Sequence, residues 1–94
     1  MHHTSPSFWK NYKKLPKEIQ EQADKNFKIL NEDSHHPSLH FKRIGKYWSV
    51  RASIEYRALG TEIDDGIIWF WIGKYDEYER LIRQIKKKIS RKNK

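Results

Sequence analysis

Two arginines stand six residues apart in "WSVRASIEYRALG", residues 48–60, a stretch that otherwise suits a β-sheet. An arginine in the middle of a small sheet needs either a counter-ion or a ligand for its charge. Guanidinium groups bind phosphate oxygens through paired hydrogen bonds. Arg51 and Arg57 are therefore candidates for phosphate binding. The competing interpretation is structural, with ion pairs to the nearby acids Glu55, Glu62, Asp76 or Glu77.

The alternation of side chains indicates where these arginines point. Trp48, Val50 and Ala52 form one face of a strand, so Arg51 belongs to the opposite face. Lys42, on the preceding strand, is predicted to share the face of Arg51. Arg57 follows a turn at residues 54–55, and a slip of one residue there would reverse its face. Clustered cations repel one another, which favours a phosphate cradle over a device for stability.

The surrounding elements follow from periodicity. Pro6 begins a first helix and Pro16 a second, whose apolar face is Ile19, Ala23, Phe27 and Leu30. Strand-like segments occupy residues 39–72, and helical spacing returns from Tyr78 to Ile89. The sequence predicts an α+β domain covering residues 1–94. An N-terminal helical hairpin packs on a three- to four-stranded antiparallel sheet, followed by a C-terminal helix.

Two tryptophans in the apolar strand "IIWFWI", residues 67–72, stand two positions apart. If Ile68, Phe70 and Ile72 face the helices, regular alternation places Trp69 and Trp71 together on the Arg51 side. There they would fill a second small core with the C-terminal helix. A role in stacking on bases or on a partner is the alternative.

The net charge of +8 lies entirely in one segment. Residues 80–94 contain eight basic side chains and no acid, whereas residues 1–79 are neutral in sum. We interpret residues 86–94 as a frayed basic tail, which is either a solvated helix end or a phosphate-seeking arm.

The sequence has no cysteine, which fits a reducing cytoplasm. No apolar run approaches the roughly 20 residues of a membrane helix, so we expect no membrane contact.

The ordered pattern "LHFKRIGKYWSVRASIEYRALG…IIWFWIGKYDEY" resembles the RelE/ParE superfamily of bacterial toxins from toxin–antitoxin pairs. The resemblance extends from Phe8 to about Ile85 and rests on the set of motifs. It implies a compact toxin domain in the cytoplasm that a cognate antitoxin wraps and neutralises. RelE-like members cut messenger RNA in the ribosome without a metal or cofactor. ParE-like members inhibit DNA gyrase instead, and a degenerate toxin would retain only antitoxin binding.

The resemblance also implies site residues. The matching positions for catalysis are Arg51, Arg57, Lys42 and Tyr78, and those for RNA binding are Arg43, Lys46, Lys74 and Tyr75. The arginines would stabilise the pentavalent phosphorane, Lys42 would act as a weak base, and a tyrosine would donate a proton. The sequence differs from the family in three places, one of which is a shorter gap from Gly73 to Tyr78. Tyr75 stands where an Arg or His is usual, and only five residues precede Pro6, where the family has its first strand.

The histidines are weaker candidates. His40 is the only histidine in the predicted sheet region, and it is interpreted as either an acid–base group or an exposed strand or loop residue. His35 and His36 precede a proline in a loop, without further ligands that could complete a metal site. We therefore expect no metal. From the resemblance, our first hypothesis is the messenger RNA endonuclease, and the second is the gyrase inhibitor.

Overall fold

The computed structural model describes residues 1–92, with side chains described through Lys87. Its elements, in chain order, are β1 (His2–Thr4), α1 (Pro6–Tyr12), α2 (Lys17–Glu32), a 3-10 turn (Pro37–Leu39), β2 (Lys42–Ile44), β3 (Tyr47–Ser53), β4 (Tyr56–Ile63), β5 (Gly66–Lys74) and α3 (Tyr75–Lys92). The predicted α+β class, with a helical hairpin before the sheet and a helix after it, is confirmed.

The sheet has five strands in the order β1-β5-β4-β3-β2. Strands β2 to β5 form an antiparallel meander as predicted, and β1 adds a parallel edge beside β5. The prediction of three to four strands missed β1, since its three residues show no apolar alternation. Gly66, at a φ of 150°, makes room for the chain end, where Ile67 N donates to Met1 O at 2.9 Å.

The larger core lies between one sheet face and the helical hairpin. Ser5 caps α1 by accepting from Phe8 N, and the helix places Phe8 against the sheet. Trp69 is fully buried, and its ring lies 5.7 Å from that of Phe27 on α2. The other buried members are Ala23, Leu30, Leu39, Val50, Ala52, Tyr56, Ala58, Ile67 and Ile72. Burial of these aromatic and aliphatic side chains supplies the hydrophobic stabilisation of the domain.

A smaller core lies on the opposite face, under α3. Leu59, Tyr78 and Ile82 are buried there, and Trp71 and Phe70 pack against them. Helix α3 begins directly after β5, and the apolar stripe predicted for it faces the sheet. The backbone of α3 continues to Lys92, so it is helical over most of the segment predicted to fray. The side chains from residue 88 onward lie outside the described part, and the frayed tail stays a prediction.

A β-bulge divides the two tryptophans between these cores. Leu59 pairs with Trp71, but the next residue, Gly60, pairs with Trp69, which leaves Phe70 as the extra residue on β5. The bulge shifts the alternation by one position. Trp69 therefore faces α1 and α2, while Phe70 and Trp71 both face α3. The prediction that Trp69 shares the arginine face is wrong, and the core role of Trp71 with α3 is confirmed.

Within residues 1–92, no helix is both long enough and apolar enough to span a membrane.

Candidate functional site

The two arginines lie side by side on neighbouring strands. Arg51 on β3 is directly opposite Arg57 on β4, and Arg57 is opposite Gly73 on β5. Chain reversal takes two residues, Ile54 and Glu55, and a register shift between residues 51 and 53 precedes it. This bulge and turn together keep both arginines on the α3 face. The predicted orientation of Arg51, and the less certain one of Arg57, are both confirmed.

Arg57 is fixed in place by the turn that precedes it. Its Nη1 donates to three backbone carbonyls, those of Ser53 at 3.0 Å, Ile54 at 3.2 Å and Tyr56 at 3.0 Å. The guanidinium carbon lies 4.7 Å from the centre of the Tyr75 ring, a cation–π distance. Burial, followed by the charge of Arg51, lowers the pKa of Arg57 below its ordinary value. The remaining N–H groups of a guanidinium held this way stay available to a ligand.

Carboxylates do not neutralise this pair. Among the side chains of residues 1–87, neither Arg51 nor Arg57 lies within ion-pair distance of an acid. The described ion pairs are elsewhere, and one joins Arg43 Nη1 to Glu62 Oε1 at 3.3 Å. The structural interpretation, in which acids balance both arginines, is therefore not what the described residues show. Two adjacent guanidinium groups without a counter-ion attract an anion.

An open pocket of about 490 Å³ lies beside Arg57. Its lining residues are Ile54, Glu55, Arg57, Lys74, Tyr75 and Asp76. Tyr75 is 41 % exposed, and its backbone N–H donates to Glu55 O at 2.7 Å, which ties the start of α3 to the β3–β4 turn. The structure thus brings together three predicted site residues, Arg57, Lys74 and Tyr75. The two carboxylates at this pocket are potential proton acceptors.

Arg51 also borders a second pocket, of about 380 Å³, at the edge of β3. The rest of its lining comes mostly from α2 (Gln22, Lys25, Asn26 and Ile29), so this pocket lies on the α2 side and not at the arginine row. Asn26 on α2 donates to Arg51 O at 3.2 Å and to Ala52 O at 2.8 Å. These bonds satisfy the edge of β3 beyond the end of β2. They also fix the backbone that presents Arg51. Ile54 lines both pockets, so the tip of the turn separates them.

Gly73 gives Trp71 room to lie beside the arginine row. A Cβ added at Gly73 would come within 2.5 Å of Trp71 Cζ2. Gly73 is also the cross-strand neighbour of Arg57. The Trp71 indole, which lies over Gly73, is therefore on the same side of the sheet as Arg57.

Lys42 on β2 and Tyr78 on α3 both lie next to Ser49, in the row of the sheet beside the arginines. Lys42 pairs with Ser49, so it shares the face of Arg51 as predicted, and its side chain is exposed. Tyr78 is only 4 % exposed, and its hydroxyl accepts a hydrogen bond from Ser49 Oγ at 2.8 Å. The buried hydroxyl already has a partner, which fits a residue of the smaller core better than a proton donor to a surface ligand. Its predicted catalytic role stays untested.

Arg43 and Lys46 are not brought to the arginine row. Arg43 is opposite Trp48 on the other face of the sheet, with its guanidinium 5.9 Å from the indole. Lys46 lies in the β2–β3 turn, with its Nζ 5.7 Å from the Tyr47 ring. His40 is exposed at a φ of 47° after the 3-10 turn, which fits its interpretation as a loop residue.

Sequence reasoning overlooked Ile54 as a site residue and treated Glu55 only as an ion-pair partner. An isoleucine in a two-residue turn is unusual, since turns favour Gly, Asn and Asp. That mismatch between residue type and position was the available signal.

No protein-family model matches the sequence, and no curated protein matches it. Solved structures do match. RelE of the Methanococcus jannaschii RelB–RelE antitoxin–toxin complex superposes with a TM-score of 0.65 at 19 % identity, covering 84 % of this chain and 96 % of RelE. Isolated Escherichia coli RelE gives 0.58 at 18 % identity over 90 % and 97 % of the two chains. The Staphylococcus aureus YoeB dimer gives 0.58 at 20 % identity over 79 % and 93 %.

These alignments span nearly the whole of each toxin, and identities near 20 % establish the architecture while leaving activity open. The resemblance predicted from the ordered motifs is thereby confirmed for the fold. The chain has the fold of the RelE and YoeB toxins of type II toxin–antitoxin systems.

Proposed function

We propose that this chain is the toxin of a type II toxin–antitoxin pair that inhibits translation by cutting messenger RNA in the ribosome. The observation that carries the proposal is the cross-strand pair of Arg51 and Arg57, which lacks a carboxylate partner among the described side chains. The shared fold with RelE and YoeB supports it. A site of this composition suits a phosphodiester better than a neutral substrate.

The chemistry requires no group beyond the chain and the RNA. The 2′-oxygen attacks the adjacent phosphorus and loses its proton to a base on the protein. The bond from phosphorus to the 5′-oxygen breaks, and that oxygen takes a proton from an acid. The products are a 2′,3′-cyclic phosphate and a 5′-hydroxyl. Arg51 and Arg57 would stabilise the negative charge that develops on the phosphorane, an effect worth about a hundredfold or more for a single preorganised donor.

The proton-transfer groups are the less defined half of the proposal. Lys42 is our predicted base, and Glu55 is a second candidate because it is one of the residues that line the pocket of Arg57. Tyr75 is exposed in that pocket, so it is better placed than the buried Tyr78 to donate a proton or to stack on a base. Lys74 would bind a neighbouring phosphate in the same pocket. Arg43 and Lys46, on other surfaces, would contact more distant RNA.

The proposed partner is a cognate antitoxin, and the proposed location is the cytoplasm. RelE and YoeB have been solved in antitoxin complexes named RelB–RelE and YoeB–YefM. We expect an acidic, amphipathic antitoxin segment that lies over the arginine row or displaces α3. The uncompensated positive charge after residue 79 would speed its association at low salt. An association rate that is the same at low and high salt would contradict this expectation.

A non-enzymatic gyrase inhibitor is the second candidate. The observation that favours it is the burial of Tyr78 against Ser49, which removes the predicted acid from the pocket. Among the described residues that line the pocket of Arg57, there is also no histidine. A toxin of this kind would use the arginine row to bind its target and would cut nothing.

Induced expression followed by primer extension tests the proposal. Wild-type protein should leave messages cut within the coding region and should not change DNA supercoiling. Arg51→Ala should reduce cleavage by about a hundredfold. Arg43→Ala is the comparison variant, since it removes the same side chain from the opposite face, and the loss of its more distant RNA contact should reduce cleavage far less. Intact messages together with altered supercoiling would overturn the nuclease in favour of gyrase inhibition.

A further inference from the structure

The tip of the β3–β4 turn holds an apolar side chain in solvent. Ile54 is 73 % exposed, while Ser53 and Tyr56, the residues that flank the two-residue turn, are buried. Burying an isoleucine side chain fully stabilises a protein by about 1.5–3 kcal/mol. At this exposed position the side chain contributes little of that free energy to folding. Single exposed apolar residues are common, but this isoleucine lines the pocket of Arg57, where it can contact a bound ligand directly.

The turn that carries Ile54 is held from both ends. Arg57 Nη1 binds the carbonyl oxygens of Ser53, Ile54 and Tyr56, and Tyr75 N–H binds that of Glu55. Four hydrogen bonds therefore fix a two-residue turn. The side chain of Ile54 projects from a rigid support, which lowers the entropic cost of inserting it into a ligand.

Ile54 also stands at the edge of the site. It lines the pocket of Arg57 and Tyr75, and on its other side it borders a pocket formed mainly by α2 residues. A phosphate bound to Arg57 would therefore place an adjacent nucleotide beside the tip of the turn.

Cleavage by a 2′-oxygen needs that oxygen in line with the departing 5′-oxygen, and two stacked bases disfavour this arrangement. Proteins separate stacked bases by inserting apolar side chains between them, isoleucine included. An aromatic side chain can then stack on a displaced base. Tyr75, 41 % exposed beside Arg57, is such a platform.

We infer that Ile54 is a wedge that inserts between the two bases flanking the scissile phosphate, so that one base moves onto Tyr75. The inference rests on the proposed nuclease function and adds how the substrate is distorted. It assigns to Ile54 a direct contact with RNA bases that neither the arginines nor Lys42 would make.

Single-turnover cleavage on ribosomes programmed with a short message tests the wedge. Ile54→Ala should lower the cleavage rate at saturating toxin by about tenfold, and Ile54→Leu should restore most of it. Half-saturation should change little, because the phosphate contacts remain. Ile63→Ala is the matched control, since Ile63 is 39 % exposed at the far end of β4. Thermal melting should show that all three variants fold.

A message with an abasic nucleotide on one side of the scissile phosphate provides the decisive comparison. Without the base there is no stack to open, so Ile54→Ala and wild type should cut this message at equal rates. A defect of the same size on abasic and ordinary messages would overturn the wedge, since Ile54 would then contact the ribosome or support the turn. Equal rates on ordinary messages would overturn it as well, and weaker antitoxin binding in that case would assign Ile54 to a protein interface.

A failure of the proposed function would give a different result from a failure of the wedge alone. If wild-type toxin cuts no programmed message at all, the nuclease itself is overturned, and the wedge with it.

Discussion

The two faces of the sheet differ in how their residues are used. The face under α1 and α2 is covered by a continuous apolar core that includes the fully buried Trp69. The face under α3 has only a small core around Leu59, and beyond the start of that helix it presents Arg51 and Arg57. One sheet thus has a face that stabilises the domain and a face that is open to a ligand.

The difference shows how a domain of 94 residues can hold two adjacent cations. The free energy of unfolding of a small domain is only about 5–15 kcal/mol, so a repulsive pair must be offset elsewhere. The larger core on the opposite face contributes the stabilising free energy that offsets this repulsion. The proposed site is also assembled on strands rather than on loops, which keeps its geometry fixed by the sheet register.

Truncating one tryptophan on each face tests the division directly. Trp69→Ala should cost about 3–5 kcal/mol, the usual range for a fully buried Trp, because the cavity lies in the larger core. Trp71→Ala should cost less, since Trp71 is only partly buried and borders the thinner core. Urea denaturation measures both. Equal losses of free energy would show that the two faces contribute equally, and the comparison would be wrong.

The two arginines should separate into a ligand-binding and a partly structural residue. Arg57→Ala removes three hydrogen bonds from the β3–β4 turn, and we expect a loss of about 1–2 kcal/mol after allowing for its partial exposure. Arg51→Ala should leave the unfolding free energy unchanged or raise it, because repulsion is relieved. Both should lower cleavage. A clear loss of stability in Arg51→Ala with persisting toxicity would make Arg51 a structural residue.

Tyr78 lies at the boundary between the smaller core and the site. Tyr78→Phe should cost about 1 kcal/mol, because Ser49 Oγ loses its partner in a buried position. Combining it with Ser49→Ala should recover part of that loss. Cleavage should fall less than in Tyr75→Phe, the matched removal of an exposed hydroxyl. A drop of a hundredfold or more in Tyr78→Phe alone would instead identify it as the general acid.

The smallest expected effect is a pH dependence at the edge of the larger core. Trp69 Nε1 donates to His2 Nδ1 at 3.1 Å, which requires that nitrogen to be unprotonated. Burial, with the positive charges of the N-terminus and His3, lowers the pKa of His2 below its ordinary value of 6.5. The unfolded chain then binds more protons in this window, so stability falls as pH drops below about 6.5.

Melting curves between pH 7.5 and 5 would show this loss in the wild type. The part due to His2 should be absent in His2→Gln, which keeps an acceptor but does not titrate. His35→Gln, which removes an exposed loop histidine, serves as the control. An unchanged pH profile in His2→Gln would exclude the proposed linkage.

Periodicity was sufficient for the elements that bury one clear face. Val50 and Ala52 fixed the orientation of Arg51, and the helical spacing of Leu81, Ile82 and Ile85 located α3. These predictions succeed because side-chain direction follows from a period of 2 or 3.6 residues. Predictions of this kind hold for a site residue only when no bulge interrupts the alternation of its strand.

The features that the sequence did not predict all depend on contacts between distant parts of the chain. The bulge at Phe70 shifts the alternation of β5, and in a strand that is apolar on both faces the sequence gives no sign of it. Strand β1 is held by backbone pairing, so its side chains carry no pattern. The burial of Tyr78 depends on Ser49, 29 residues earlier in the chain. Local sequence does not contain these long-range partners.

The parallel pairing of β1 with β5 determines when the protein can finish folding. His2 pairs with Ile67, so the first strand waits for nearly three quarters of the chain. The β3–β4 hairpin, by contrast, closes over two residues and can form early. During synthesis the arginine pair would therefore exist before its supporting core is complete. If the chain is the proposed toxin, it should acquire activity only after β5 leaves the ribosome, and the proposed antitoxin could bind it as it folds.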